Sequence, residues 1–246
     1  MHAIRPAIFA PFDRLRCGMS TRLGGVSPEP LGMNLSYRVG DEPARVARNR
    51  EIFFGALGVP VNALAVPGQV HGAVVRHATA PGEYPECDAI VTSIPGVFCC
   101  VSVADCLPVL LFDPRRSVVA AVHAGWRGTA AGIAAEAVRA MRSAHGSAPG
   151  DVLAFIGPGA SACCYAVGEE VAARFRAEHL RRPAGGEVYA DLKAANAAQL
   201  ADEGVRADRI EIHPSCTISE PTLLHSYRRD GARSGRMMGV IGILPS

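Results

Sequence analysis

Three side chains in the sequence could together bind a metal ion. They are His71, Cys106 and His123, which occur in the local sequences QVHG, ADCLP and HAGWRGT. Two imidazoles and one thiolate form a ligand set that zinc accepts, and three protein ligands leave a fourth position for water or a substrate. The ligands are separated by 35 and 17 residues, which is not the spacing of a zinc finger. A packed histidine or cysteine is therefore the competing interpretation at each position.

The same atoms also fit a second kind of chemistry. Cys106 and His123 could form a nucleophilic cysteine–histidine pair of the kind found in cysteine hydrolases. The residue types alone do not separate a metal site from a nucleophile, so both hypotheses stay open at this point.

Two glycine-rich segments with an arginine could bind an anion. In HAGWRGT, Arg127 lies between glycines and before a predicted helix, where backbone N–H groups and a guanidinium favour phosphate. STRLGGVS offers a similar set in Ser20, Arg22 and the following pair of glycines. The arginine-rich segment SYRRDGARSGR is a further candidate for ligand contact. A solvated turn is the alternative interpretation of each segment.

Composition narrows the classes of function. The 246 residues carry a formal charge of +2 at pH 7, with 49% hydrophobic and 20% charged residues, which is typical of a globular protein. This charge gives no electrostatic signature of nucleic-acid or membrane binding, so we expect a small-molecule ligand. Lys193 is the only lysine and lies in the helix-like run DLKAANAAQL. The chain therefore offers neither a P-loop lysine nor the usual setting of a Schiff-base lysine.

The eight cysteines are expected to be free thiols in a reducing compartment. Residues 1–20 lack the apolar stretch of a secretory signal, and no run reaches membrane-spanning length. We therefore expect a cytoplasmic protein whose eight cysteines are free thiols. Because neighbouring residues on a strand point to opposite faces, Cys99–Cys100 and Cys163–Cys164 are expected to be poor metal-binding pairs.

The predicted elements place the candidate ligands at strand ends. Apolar runs rich in branched residues predict core strands at 97–103, 107–112 and 117–123, so Cys106 would lie at a kink before one strand and His123 would end the next. An alanine-rich run that begins at Thr129 predicts a helix that stops at Gly146.

The other predicted elements define the fold class. Further strands are predicted at 152–159 and in RIEIHPS and RMMGVIGIL, and further helices at 167–180 and 190–204. Because many strands follow one another without an intervening helix, we predict an α+β fold rather than a doubly wound sheet. We expect a single domain over residues 1–246, built as a layered α/β sandwich with mixed β-sheets.

Taken in order, the motifs of the chain resemble one family. They are STRLGGVS, NLSYRVGD, GQVHG, DAIVT, ADCLPVLL, HAGWRGTAAGI, IGPG with YAVG, and SYRRD with GR, and they cover essentially the whole chain. The family has been called the laccase-domain or multicopper polyphenol oxidase family and the peptidoglycan editing factors. Its members are now regarded as purine nucleoside phosphorylases. The sequence departs from the family pattern at Ala166, where an acidic residue is common.

The resemblance implies a fold, a cofactor and a reaction. It implies a sandwich related to toxin-type cysteine deamidases, with zinc held by His71, Cys106 and His123. Cu²⁺ is the second candidate metal. The implied reactions are phosphorolysis of adenosine, inosine, guanosine and methylthioadenosine, and hydrolytic deamination of adenosine. Purine nucleosides and phosphate are the implied partners, and we expect a monomer or a homodimer.

These reactions assign expected roles to the remaining candidates. Phosphorolysis needs an anion site, for which Ser20, Arg22 and Arg127 are candidates, and a proton donor for the departing base, for which Asp105 is the candidate. Three alternatives stay open: a peptidoglycan editing hydrolase or amidase with Cys106 as nucleophile, a copper-binding polyphenol oxidase, and a non-enzymatic metal-binding regulatory module. The eight histidines of the chain fit the several copper centres of a laccase poorly.

Overall fold

The protein is a stack of four layers in the order helix, sheet, sheet, helices. A computed structural model describes residues 3–245. Two six-stranded sheets pack face to face, and buried apolar side chains from both sheets, including Ile90, Leu110 and Ile241, fill the space between them. The layered α/β sandwich predicted from the sequence is confirmed.

The strands and helices have the following bounds. The strands are β1 (Ala3–Ile4), β2 (Leu15–Ser20), β3 (Leu64–Pro67), β4 (Val75–His77), β5 (Gly82–Tyr84), β6 (Ala89–Thr92), β7 (Phe98–Val103), β8 (Leu107–Asp113), β9 (Val118–Ala124), β10 (Leu153–Ile156), β11 (Ala166–Val167), β12 (Leu180–Arg181), β13 (Val188–Ala190), β14 (Ile210–Ile212) and β15 (Met237–Ile243). The helices are α1 (Pro43–Leu57), α2 (Trp126–Ala130), α3 (Ile133–His145), α4 (Glu169–Ala172), α5 (Leu192–Asp202) and α6 (Tyr227–Asp230).

Both large sheets are mixed, as predicted. The first has the order β1-β2-β15-β7-β3-β5, and the second has the order β14-β10-β8-β9-β6-β4. In the first, β3 runs parallel to β5 and β7, whereas β15 is antiparallel to β7 and β2. In the second, β8, β9 and β10 are antiparallel, and β4 and β14 add parallel edges. The strands β11, β13 and β12 form a third, small antiparallel sheet.

Helices cover the outer faces of the two large sheets. Phe53 and Phe54 of α1 pack on the first sheet, and α3 and α5 pack on the second through Ile133, Met141 and Leu200. Each fully buried side chain of this size contributes about 1.5–3 kcal/mol of transfer free energy. None of the helices within residues 3–245 combines the length and apolar character needed to cross a bilayer.

The alanine-rich segment forms two helices rather than one. The first, α2, starts at Trp126, three residues before the predicted start, and has only 5 residues. The chain then breaks at Gly132, whose φ of 84° interrupts the right-handed helix before α3 begins. The predicted stop is confirmed, because Gly146 ends α3 in a left-handed conformation.

The helix predicted at 167–180 is wrong. Only Glu169–Ala172 is α-helical, and the chain then passes through a 3₁₀ turn at Ala177–His179 into β12. Leu180 and Arg181 pair with β13, and this pairing requires an extended backbone where the local helix propensity favours a continuing helix. Tertiary pairing overrides propensity here.

Candidate active site

Neighbouring strands bring Cys106 and His123 together. In the antiparallel pair β8–β9, Pro108 lies opposite His123 and Leu107 lies opposite Ala124. Cys106 precedes β8 directly, after the left-handed backbone of Asp105 with its φ of 86°. Cys106 therefore lies beside the end of β9. The His123 side chain is only 3% exposed, so its imidazole reaches the cluster from inside the protein.

His71 reaches the same place from the loop between β3 and β4. Gln69 and His71 have φ angles of 55° and 61°, which cost a non-glycine residue about 1–3 kcal/mol and persist only where the surroundings enforce them. The amide of Gln69 provides part of this constraint, because it donates to the carbonyl of Ser102 at 2.7 Å and accepts from the N–H of Ser102 at 2.8 Å. These two bonds fasten the loop to β7.

The three predicted ligands converge. One ring nitrogen of His71, one of His123 and Sγ of Cys106 lie within 4.8 Å of one another. The two imidazole rings meet edge to face with their centroids 4.9 Å apart. Metal–nitrogen and metal–sulfur bonds of about 2.0–2.3 Å need only small side-chain rotations from this arrangement, so the donor set fits a metal ion.

Asp88 orients both histidines. Its carboxylate is fully buried and accepts a hydrogen bond from Nδ1 of His123 at 2.8 Å. It also accepts from the backbone N–H groups of Val70, His71 and Gly72. Because Asp88 occupies Nδ1, the Nε2 atom of His123 is left for the cluster, as in carboxylate–histidine pairs that orient metal ligands.

The charges of the cluster support one another. Burial raises the pKa of Cys106, but the charge and hydrogen bond of His123, together with His71, lower it to about 6. Burial lowers the pKa of His123, whereas Cys106 and Asp88 raise it to about 9. Burial raises the pKa of Asp88, but His123 and the N–H groups of Gly72 and His71 lower it below its usual value. Without a metal these shifts therefore favour the thiolate of Cys106, the imidazolium of His123 and the carboxylate of Asp88.

Glycine at position 125 allows the backbone to approach the ligands. A Cβ atom on Gly125 would lie 2.9 Å from Sγ of Cys106 and 3.1 Å from Cδ2 of His71. Both distances are too short for carbon contacts. Any other residue at this position would therefore displace at least one of the two ligands.

Pairs of aromatic and arginine side chains lie around the cluster. The Arg127 guanidinium lies 4.3 Å from the Trp126 ring centroid, directly after Gly125. Arg228 lies 4.8 Å from the ring centroid of Tyr165. Burial raises the pKa of Tyr165, and the charges of Arg228, Cys106, Asp105 and Arg127 also act on its phenol. The Tyr165 hydroxyl is therefore within electrostatic reach of the cluster and of two arginines.

Arg236 adds a third guanidinium to this rim. Its side chain donates to the carbonyls of Ser234 and Gly235 and lies 5.3 Å from the ring centroid of Tyr227. Burial lowers the pKa of Arg236, and the charges of Tyr227, Asp105 and Cys106 oppose this effect. A partly buried cation near the thiolate and two further arginines make this region suited to an anion.

Asp105 does not direct its carboxylate at the ligands. One oxygen accepts from the Thr217 hydroxyl at 2.6 Å and the other accepts from the backbone N–H of Arg228 at 2.6 Å. Asp105 thereby holds α6 and the loop around Thr217 against the start of β8. The role of proton donor predicted from the sequence stays a prediction.

The three predicted phosphate contacts lie in different settings. Ser20 is buried, and its hydroxyl accepts from the backbone N–H of Met238 at 3.0 Å. The Arg22 guanidinium donates to the carbonyls of Pro221 and Pro30 and pairs with Glu29. Arg127 is exposed at the rim of the cluster.

Sequence reasoning missed several residues of this site, namely Asp88, Tyr165, Arg228 and Arg236. Asp88 is the acidic residue directly before β6 in DAIVT. An acidic residue at the start of an apolar strand is the pattern that could have indicated a functional role for Asp88. The two arginines belong to SYRRDGARSGR, a segment for which a solvated loop and ligand contact were both open.

Fold and site together define a layered α/β protein with a histidine–thiolate cluster that fits a metal ion. The family profile described as multi-copper polyphenol oxidoreductase laccase matches residues 16–244. The chain belongs to this family, which confirms the resemblance stated from the ordered motifs.

Curated relatives carry a different name. A Deinococcus radiodurans protein named purine nucleoside phosphorylase is 41% identical over 242 residues, which are 97% of this chain and 93% of the relative. Purine nucleoside phosphorylase YlmD of Bacillus subtilis is 34% identical over 92% of this chain and 87% of its own length. The crystal structure of YlmD from Geobacillus stearothermophilus superposes with a TM-score of 0.90 at 33% identity, covering 96% of this chain and 94% of the other.

Proposed function

We propose that the protein is a zinc-dependent purine nucleoside phosphorylase that also deaminates adenosine. The observation that carries the proposal is the placement of the His71, Cys106 and His123 donor atoms within 4.8 Å of one another beside a rim of arginines and aromatic rings. The names of the relatives support the same activity. The proposed substrates are phosphate and adenosine, inosine, guanosine or methylthioadenosine.

His71, Cys106 and His123 would hold the zinc ion. A bound Zn²⁺ would supply Lewis-acid polarisation of water or of the purine at this position. Asp88 keeps the proton of His123 on Nδ1, so that the other nitrogen stays available as a ligand. The eight histidines of the chain make a multicopper centre the weaker alternative, although the thiolate also suits a single copper ion.

The rim would bind the nucleoside and the phosphate. We propose that Arg127, Arg228 and Arg236 bind phosphate, since their guanidinium groups flank the cluster, and that Trp126 or Tyr165 contacts the flat purine. Ser20 and Arg22 keep a structural role in this proposal, because their polar atoms bond to Met238, Pro221 and Glu29. Asp105 acts as a positioning residue for Arg228 through the backbone bond at 2.6 Å.

Measuring base release tests the activity. With zinc-replete protein we expect hypoxanthine from inosine and adenine from adenosine only when phosphate is present, and inosine from adenosine without it. Cys106→Ala should lose the zinc ion of this cluster and both activities, while the matched control Cys17→Ala, on β2 and outside the cluster, should keep them. Absence of phosphate-dependent base release from zinc-replete protein would overturn the proposal.

A second experiment tests the phosphate contacts. Replacement of Arg236 by Gln should raise the KM for phosphate by about 10-fold or more, because a hydrogen bond to a charged group contributes about 1.5–3 kcal/mol. Arg233→Gln, at an exposed position in the same segment, is the control. An unchanged KM in Arg236→Gln would remove this residue from the proposed site.

The second candidate is a peptidoglycan editing hydrolase or amidase. The pKa of about 6 for Cys106 and of about 9 for His123 favours it, because a thiolate–imidazolium pair oriented by a carboxylate suits a cysteine nucleophile. Hydrolysis of peptidoglycan fragments by chelator-treated protein, lost after alkylation of Cys106, would support this candidate. A requirement for added zinc would support the phosphorylase.

The proposal extends to the compartment, the oligomeric state and the partners of the enzyme. We propose a cytoplasmic monomer or homodimer whose partners are small molecules and not nucleic acid. A metal-binding regulatory module is the non-enzymatic alternative, and it predicts that saturating nucleoside gives no thermal shift.

A further inference from the structure

A second cluster of potential metal ligands lies outside the proposed active site. Cys163 and Cys164 occupy the turn that precedes β11, and Cys216 follows β14. Their three sulfur atoms lie within 4.8 Å of one another. Within residues 3–245, these and the His71, Cys106 and His123 cluster are the two groups that have this geometry.

The expectation that Cys163 and Cys164 make a poor metal-binding pair rested on a premise that is wrong. It assumed that both lie on a strand, where neighbours point to opposite faces. Cys99 and Cys100 do lie on β7 and do face different apolar clusters. Cys163 and Cys164 instead lie in a turn, which brings their sulfur atoms to 3.2 Å from each other.

The two loops are held together by the backbone rather than by the cysteines. Gly159 and Cys216 form an isolated parallel bridge, and the N–H of Thr217 donates to the carbonyl of Gly159 at 3.1 Å. The N–H of Cys216 donates to the Glu220 carboxylate at 3.1 Å. The sulfur atoms are therefore positioned before any ion binds.

The surroundings of Cys216 favour a thiolate. Its side chain is 4% exposed, and burial alone would raise its pKa. Backbone N–H groups of Ser219, Ser161 and Ile218 lower the pKa of Cys216, whereas burial and the hydrogen bonds with Cys164 and Cys216 raise the pKa of Cys163 to about 12. Hydrogen bonds from backbone N–H groups to sulfur are also one of the means by which proteins tune metal thiolates.

Lys193 supplies a neighbouring positive charge. It is 7% exposed and donates to the carbonyls of His213 and Ser215 at 2.7 Å. Burial lowers the pKa of Lys193, and the charges of Cys216, Asp191 and Cys163 oppose this effect. Three thiolates with a divalent cation carry one net negative charge, which the ammonium of Lys193 offsets.

We propose that Cys163, Cys164 and Cys216 form a second metal site, which binds a thiophilic divalent cation of the Zn²⁺ type through three thiolates. Three zinc–sulfur bonds of about 2.3 Å place the sulfur atoms about 3.8 Å apart in a tetrahedron, within the range of the observed cluster. Each remaining thiol releases its proton to solvent on binding. Cys163 is exposed, so the fourth position faces water.

This site would act on the active-site region through the loops that it joins. Tyr165 follows Cys164, and Thr217 follows Cys216 and donates to Asp105 at 2.6 Å. A metal ion that fixes the two loops would therefore stabilise residues around the first cluster. Its proposed role is to hold the two loops together, beside the residues that precede and follow its ligands.

Cobalt titration of reduced, chelator-stripped protein under anaerobic conditions tests the proposal. The wild type has four candidate thiolates, one in the first site and three in the second, so the thiolate-to-cobalt absorption should fall to about three quarters in Cys106→Ser and to about one quarter in Cys163→Ser or Cys216→Ser. Zn²⁺ should displace the cobalt. Cys17→Ser, outside both clusters, should match the wild type.

The variants separate this proposal from the proposed function. Cys106→Ser should still bind about one zinc ion per chain, measured by mass spectrometry of metals, and that ion should raise its thermal midpoint. If Cys106→Ser binds no metal, or if Cys163→Ser and Cys164→Ser bind as much as the wild type, the second site does not exist. Loss of two thiols on exposure to air, without metal uptake under reducing conditions, would identify a disulfide pair and overturn the proposal. Cys163 is exposed, so Cys163→Ser remains informative if Cys216→Ser does not fold.

Discussion

The two cysteine-containing clusters are built in different ways, although a single hydrogen bond joins a neighbour of Cys106 to a neighbour of Cys216. In the first, β8 and β9 set the positions of Cys106 and His123, and the buried Asp88 orients the histidines. In the second, Cys163 and Cys164 lie in a turn and Cys216 lies in an isolated bridge, and the charge of Lys193 acts on the sulfur atoms of Cys216 and Cys163. The bond from Thr217 to Asp105 connects them. The carboxylate orients His123 and stabilises its charged form in the first cluster, whereas the ammonium of Lys193 offsets negative charge on the thiol-rich second cluster.

The largest expected effect comes from adding one carbon atom to the first cluster. Gly125→Ala places a Cβ 2.9 Å from Sγ of Cys106, and a displacement of the ligands of about 1 Å costs about 10²-fold in rate. Nucleoside phosphorolysis should fall by this factor, and metal binding by the second cluster should not change. Gly150→Ala, where a Cβ would meet no atom within 4 Å, is the control. Normal activity in Gly125→Ala would show that the first cluster is not tightly constrained.

Loss of the carboxylate should weaken the first cluster alone. Asp88→Asn removes the charge that fixes His123, and replacement of such partners lowers metal affinity about 10–100-fold. Competition with a chromogenic chelator measures the affinity, with the exposed Asp13→Asn as control. If the affinity of the second cluster falls to the same extent, the two sites do not differ in the way described.

A third prediction concerns a histidine outside both clusters. His225 is fully buried, and burial together with the charge of Arg22 lowers its pKa to about 3, the opposite direction from His123. The unfolded chain, with a histidine pKa of about 6.5, binds this proton first. Stability should therefore be complete above pH 6.5 and decrease as the pH falls towards 3, by at most about 1.4 kcal/mol per pH unit.

Urea unfolding at two pH values measures this effect. The free energy of unfolding of the wild type should fall more between pH 7 and pH 5 than that of His225→Phe. The control His77→Phe, at an exposed position, should retain the dependence of the wild type. Equal losses in the wild type and in His225→Phe would mean that other groups set the acid sensitivity.

The smallest expected effect lies at the connection between the clusters. Thr217→Val removes the hydroxyl that donates to Asp105 at 2.6 Å and should lower the free energy of unfolding by about 1–3 kcal/mol, because a buried acceptor loses its partner. Thr222→Val, at an exposed position, should have no measurable effect. A stability unchanged in Thr217→Val would show that the two regions are independent.

The sequence allowed the first cluster to be predicted but not the second. His71, Cys106 and His123 are marked by glycines, by strand ends and by motifs of a known family. The strands β7, β8 and β9 follow from continuous apolar runs, since a strand buried on both faces needs no alternation. The glycines, strand ends, motifs and apolar runs are all visible in short stretches of sequence, and this is why they could be predicted.

The features that escaped prediction depend on tertiary contacts. The helix expected at 167–180 gives way to β12 because β13 lies beside it. Asp88 acquires its function because the loop that contains His71 packs against its carboxylate. The sulfur atoms of the second cluster meet because Gly159 and Cys216 form a bridge. Apart from the acidic residue before the apolar strand at Asp88, these contacts leave no pattern in the residues around them.

The single lysine makes the second cluster accessible to a simple chemical probe. Lys193 is the only lysine of the chain and is 7% exposed, so an amine-reactive reagent finds one side-chain target, which is protected in the folded protein. The acylation rate of Lys193 therefore reports how often the segment around Cys216 opens, without any engineered label. Comparison of this acylation rate with and without zinc would measure the local stability of the segment around Cys216. The measurement needs only partial acylation, so most of the protein in the sample stays unmodified.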